Sequence, residues 1–190
     1  MPHQLTITDK ILAKTLLRLI PRWITPNLVS WMRFFSVPFI GYFLLAQNYA
    51  VGLPLFLVSA FSDAVDGSLA RTREMVTDFG KMFDPVADKF LISVAAIILV
   101  PRHLGWSIVI VIISIEIILI TSAYVQQRYY GKVIQAENTG KLKMIMQSLG
   151  VGALLVYALL GIPLFLTIAT YCLYIAIFFA LLSLVVYRAV

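Results

Sequence analysis

Apolar residues run along this chain in six long blocks, at 28–47, 49–68, 86–101, 105–125, 143–160 and 163–186, with charged residues concentrated ahead of the first, between the second and third, and between the fourth and fifth. A helix that crosses a bilayer needs ~20 mainly apolar residues, so the blocks predict six transmembrane helices. The third is short, and its early part is polar. Ahead of the first block, residues 9–23 place Ile11, Leu12, Leu16, Leu19 and Ile20 at helical spacing, opposed by Lys10, Lys14 and Arg18. That pattern predicts an amphipathic helix lying in the headgroup plane. The expected fold class is an all-α integral membrane protein, one domain over residues 1–190 without an internal repeat.

Composition strengthens this picture. The chain is 61% hydrophobic and 13% charged, with a mean hydropathy of +0.94, values foreign to a soluble domain. A net charge of +6 could point to nucleic acid in a soluble protein. Here the basic residues sit at the ends of apolar runs, where they set topology and meet lipid headgroups, so no nucleic-acid partner is expected. With the N-terminus in the cytoplasm, all 15 lysines and arginines except Arg33 and Arg102 fall in cytoplasmic segments. Both termini are therefore expected on that side. Arg33 lies inside the first span near its cytoplasmic end, and Arg102 is external. No cleavable signal peptide is expected, because the N-terminus opens with mixed polar and charged residues. Cys172 reads as a packing residue, and His3 and His103 as incidental.

Four aspartates change the picture from topology to chemistry. Asp63 and Asp66 stand three apart at the cytoplasmic end of the second span, on one helix face. Beyond a short loop, Asp84-Pro85 reads as a helix start with Asp84 as N-cap, and Asp88 follows on the same face. An ionised group near hydrocarbon costs about 2.5 kcal/mol or more, so four carboxylates at one cytoplasmic edge call for a cation between them. Caps alone would not require a pair on each of two helix ends. Oxygen donors at this density suit a hard divalent ion, Mg2+ or Mn2+. Arg71, Arg73, Lys81 and Lys89 surround them, and metal with basic residues is what phosphoryl transfer needs. Gly67 and Ala70 leave a surface of small residues where a flat group can approach the backbone. A cation carrier would place its acids near the bilayer midplane on broken helices, which this spacing does not do.

These residues form the pattern D-x2-D-G-x2-A-R-x8-G-x3-D-x3-D, with every fixed position from Asp63 to Asp88 present. The pattern resembles that of the CDP-alcohol phosphotransferases, and the likeness in length, spans and N-terminal helix covers essentially the whole chain. The resemblance implies transfer of a phosphatidyl or similar group from a CDP-linked donor to an acceptor hydroxyl, with release of CMP. It implies that Asp63, Asp66 and Asp84 hold two metal ions and that Asp88 is a general base that also reaches metal. It gives Asp66, Gly67 and Ala70 to the cytidine, Arg71 and Thr77 to the donor phosphates, and Asn27-Leu28-Val29-Ser30 to a segment closing over the nucleotide. A homodimer in a bacterial cytoplasmic membrane is also implied.

Two further stretches, Phe79-Gly80-Lys81-Met82-Phe83-Asp84-Pro85-Val86-Ala87-Asp88-Lys89 and Gly140-Lys141-Leu142-Lys143-Met144-Ile145-Met146-Gln147, resemble the phosphatidylglycerophosphate synthase branch of that family. That branch takes CDP-diacylglycerol as donor and glycerol 3-phosphate as acceptor. Lys141 and Lys143 at a helix mouth suit an acceptor phosphate, with Glu116 lining the cavity wall. The branch carries an Arg-Glu pair where this chain has Ile115-Glu116, and an arginine placed at 115 is expected to be tolerated. A phosphatidylglycerol acceptor, as in the cardiolipin-synthase type, and an inositol phosphate acceptor are the alternatives.

Overall fold

The computed structural model describes residues 21, 25–72, 78–130 and 138–188. Among them the chain is helical throughout: α1 (Pro26–Leu45), α2 (Tyr49–Thr72), α3 (Asp78–Leu104), α4 (Trp106–Tyr130), α5 (Asn138–Leu160) and α6 (Pro163–Arg188). The amphipathic segment expected over 9–23 lies outside the described residues apart from Pro21. Windows long and apolar enough to cross a membrane occur in α1, α5 and α6, at Pro26–Leu45, Thr139–Leu160 and Pro163–Leu184. Shorter apolar stretches, Tyr49–Ser62 and Trp106–Ser122, lie in α2 and α4. The chain forms two compact units, residues 1–95 and 96–190.

In the first unit, α1 starts where Thr25 accepts the Leu28 backbone N–H at 3.3 Å and Pro26 supplies the preset first turn. It ends in a tight reversal at Gln47, whose φ of 59° is left-handed. α2 then folds back on α1. The two approach closely at Gly52, where a Cβ would come within 2.8 Å of Leu44 Cδ2. The buried apolar positions Val37, Ile40 and Leu44 of α1 and Phe56 and Leu69 of α2 line this unit.

α3 corrects one expectation. The helix starts at Asp78 and passes through Asp84-Pro85, so Asp84 is a helix-interior residue and not an N-cap. Pro85 removes one N–H and so deprives the Lys81 carbonyl of its usual intrahelical partner. One lost hydrogen bond bends a helix without ending it when the residues on both sides continue the pattern. Asp84 and Asp88 thereby lie one turn apart on a continuous helix.

In the second unit, α5 and α6 form a hairpin. Gly161, at φ 67°, ends α5 with its N–H bonded to the Tyr157 carbonyl at 2.8 Å, and Pro163 opens α6. The two helices approach closely at Gly150, where a Cβ would stand 2.9 Å from Leu173 Cγ and 3.3 Å from the Ala169 carbonyl. We expect Gly150→Ala to lower thermal stability by about 1–2 kcal/mol, the overpacking exceeding the gain in helix propensity. A denaturation series in detergent checks this. His103, beyond the apolar run of α3, packs edge-on against Tyr157 at 5.4 Å. Burial, and secondarily Arg102, lowers its pKa from 6.5. Its neutral form thus favours the folded chain above pH 6.5, a contribution lost as pH falls from there through the lowered value.

Large apolar side chains face outward, with Phe39, Tyr42 and Tyr171 each 66% exposed, while Ser30, Arg33, Ser59, Asp66, Lys143 and Gln147 are buried beside the apolar core. An apolar exterior with polar groups kept inside is the arrangement that a lipid surround favours.

Candidate active site

The first unit holds a polar seam between α1 and α2. Ser30, Arg33 and Ser36 recur every three residues on α1 and meet Ser59, Ser62 and Asp66 of the antiparallel α2. Arg33 Nη2 donates to Asp66 Oδ2 at 2.7 Å, and Arg33 Nε donates to Ser62 Oγ at 3.0 Å. The Ser30 hydroxyl lies 3.3 Å from the same Asp66 oxygen. Further along, the Ser36 and Ser59 hydroxyls are 3.1 Å apart. The arginine and aspartate side chains are 0% and 2% exposed, so the pair sits where an uncompensated charge would be severely unfavourable.

α1 also reaches α3. Phe34, next to Arg33, stacks on Phe90 at a centroid distance of 5.3 Å, two residues past Asp88. Asp88 itself is half-buried, with Ala87 and Leu91 close by fully buried. Neighbouring side chains of one helix thus contact both helices that carry the aspartates.

Of the residues expected from sequence, Asp63 and Asp66 stand one turn apart on α2, as Asp84 and Asp88 do on α3. The side chains of Asp63, Gly67, Ala70, Arg71 and Asp84 are outside the described set, as are Thr77 and Arg73 altogether. Among the described residues no three potential ligands cluster, Asp66 and Asp88 being the two described carboxylates of the four. Asn27, Leu28, Val29 and Ser30 form the first turn of α1, and the structure joins Ser30 to Asp66 directly. Arg33 is the residue of this seam that sequence reasoning left without a role. The signal was present: an arginine within an apolar helix demands an acid, and the chain offers acids only a helix away.

In the second unit Lys143 of α5 forms an ion pair with Glu116 of α4. Lys143 is 6% exposed, as is Gln147 one turn on. A crevice beside them, walled by Ile115, Ala176 and Ala180, has about 10 Å3 of space, enough for one water molecule. The pair satisfies the Lys143 charge locally, while Lys141 is exposed. Ile115 is buried at 6%. These contacts weigh against the expectation that arginine is tolerated there, because a second cation would enter a crevice where Glu116 already pairs with Lys143.

Comparisons with known proteins place the chain in a family. A family model described as CDP-alcohol phosphatidyltransferase matches residues 23–187. The chain is 39% identical over 137 residues to the CDP-diacylglycerol–glycerol-3-phosphate 3-phosphatidyltransferase of Bacillus subtilis (strain 168), covering 71% of this chain and 70% of that one. It is 42% identical over 81 residues to the same-named enzyme of Pseudomonas fluorescens, 41% of this chain and 42% of that protein. It is also 35% identical over 108 residues to the cardiolipin synthase (CMP-forming) of Rattus norvegicus, 54% of this chain and 34% of that one. With its complete aspartate motif inside a match that runs from Trp23 to Tyr187, the chain belongs to the CDP-alcohol phosphatidyltransferases, membrane transferases of phospholipid biosynthesis.

Proposed function

We propose that this enzyme transfers the phosphatidyl group of CDP-diacylglycerol to glycerol 3-phosphate and releases CMP. The observation that carries the reading is the likeness to the Bacillus subtilis enzyme, which extends over two thirds of both chains. The protein works as one membrane domain of six spans, with both termini and the aspartates at the cytoplasmic face and the segment before Pro26 lying on the membrane. In an alternating topology the end of α2 and the starts of α3 and α5 share that face, which is the face that water-soluble glycerol 3-phosphate and CMP require.

Asp63, Asp66 and Asp84 hold Mg2+ or Mn2+, with Asp88 adjoining. The buried Asp66 carboxylate, balanced by a guanidinium and one turn from Asp63, fits such an all-oxygen set. When bound, the ions would neutralise phosphate charge in the donor. Asp88 accepts the proton of the acceptor hydroxyl as its oxygen forms a bond to the phosphorus carrying diacylglycerol. The bond from that phosphorus to the bridging oxygen breaks, CMP leaves with the electron pair, and Asp88 passes its proton to water. Gly67 and Ala70 admit the cytidine, Arg71 and Thr77 hold donor phosphates, and the first turn of α1 covers the nucleotide.

Lys141 is the exposed cation for the acceptor phosphate, with the Lys143–Glu116 pair fixing the start of α5 beside it. We expect Lys141→Ala to raise the KM for glycerol 3-phosphate about tenfold and to leave that for CDP-diacylglycerol nearly unchanged, because the contact is on the acceptor side alone. Steady-state kinetics with each substrate varied checks this.

The deciding experiment incubates the purified protein with CDP-diacylglycerol and a panel of acceptors, and reads the lipid products by mass. Phosphatidylglycerophosphate from glycerol 3-phosphate is the expected product. The match to a cardiolipin synthase makes phosphatidylglycerol the second acceptor to include. Cardiolipin as sole product would replace the acceptor while leaving the donor chemistry in place.

A further inference from the structure

The ion pair between Arg33 and Asp66 has a geometry that exceeds helix packing. Asp66 is 2% exposed and the Arg33 side chain 0%, and they meet at 2.7 Å. Ser62 accepts from Arg33 Nε at 3.0 Å, so the guanidinium is held by two residues of α2, one turn apart. The Ser30 hydroxyl lies between the Pro26 carbonyl at 3.2 Å and the same Asp66 oxygen at 3.3 Å. A carboxylate buried this deeply needs a cation at all times, whether or not a metal ion is bound, because removing one partner of a buried pair strands the other.

We propose that Arg33 is a positioning residue, the resident counter-cation of Asp66, which orients that carboxylate and balances its charge in the metal-free enzyme. The inference rests on the reading of Asp66 as a metal ligand. The guanidinium has two effects on that reading. It stabilises the metal-free state, and at this distance from Asp66 it repels an incoming divalent ion through a poorly screened interior. Both make the metal-free protein less dependent on metal. Replacing Arg33 by a neutral residue therefore harms the metal-free protein more than the metal-loaded one. An ordinary packing contact harms both alike.

The test is thermal denaturation of the full chain in detergent, with and without saturating Mn2+, for wild type, Arg33→Met, Arg33→Lys and the double variant Arg33→Met with Asp66→Asn. Arg33→Met is expected to lower the metal-free Tm on the order of 10 °C. Mn2+ should then raise its Tm by more than it raises that of wild type. Arg33→Lys, which keeps the charge but loses the fork, should fall between them, and it carries the test if Arg33→Met does not fold. The double variant should recover metal-free Tm relative to Arg33→Met and show a smaller Mn2+ gain. An Arg33→Met loss that is equal with and without Mn2+, or a Mn2+ gain smaller than that of wild type, overturns the counter-cation role. Wild type whose Tm does not respond to Mn2+ overturns the metal reading of Asp66 itself.

Discussion

Asp63→Asn and Asp84→Asn should each abolish phosphatidyl transfer while the protein stays folded. Asparagine keeps the shape of the side chain and loses the charge that offsets a divalent ion. Loss below detection is the expected result at low millimolar Mg2+ or Mn2+, measured as CMP release with the elution profile unchanged. Full activity in either variant removes that residue from the ligand set. Asp66→Asn should be equally inactive, but the structure adds a second cost. Its carboxylate balances Arg33 inside the α1–α2 seam, and stranding a buried guanidinium costs roughly 3–5 kcal/mol. Asp66→Asn therefore loses stability as well as metal, which the spacing of the motif alone does not foretell. Asp63 and Asp84 are the cleaner tests of ligation.

Asp88→Asn should lower the transfer rate by roughly 10²-fold or more and leave CMP binding largely intact, as loss of a general base does. Asp88 is half-buried on α3, with Ala87 and Leu91 fully buried beside it. A carboxylate at such an edge can meet a hydroxyl arriving from water and return the proton to water afterwards. Comparing kcat with nucleotide affinity in the same variant separates the roles. A collapse in CMP affinity with the rate would reassign Asp88 as chiefly a metal ligand.

Much of the architecture was written in local pattern. Apolar runs of membrane length mark α1, α5 and α6, and shorter apolar stretches mark α2 and α4. The turn at Gly161-Ile162-Pro163 is legible for the same reason, since a left-handed glycine and a following proline are local signals. Where local signals conflict, the reading fails. Asp84-Pro85 has the look of a helix start, yet α3 continues through it from Asp78, because one missing N–H is a smaller loss than ending the helix there.

The aspartate motif, by itself, identified the family, because a motif is spacing along the chain, and spacing is what a sequence records. Which charges meet across helices is a different kind of fact. Arg33 faces Asp66, and Lys143 faces Glu116, only because the rotation of each helix about its axis brings them into one buried seam. That rotation is set by packing between helices. It is a property of two surfaces together, so no single run of residues contains it. The sequence determined which residues are costly to bury. The tertiary structure decided that Arg33 compensates Asp66 and Lys143 compensates Glu116, and so which substitutions also break a buried pair.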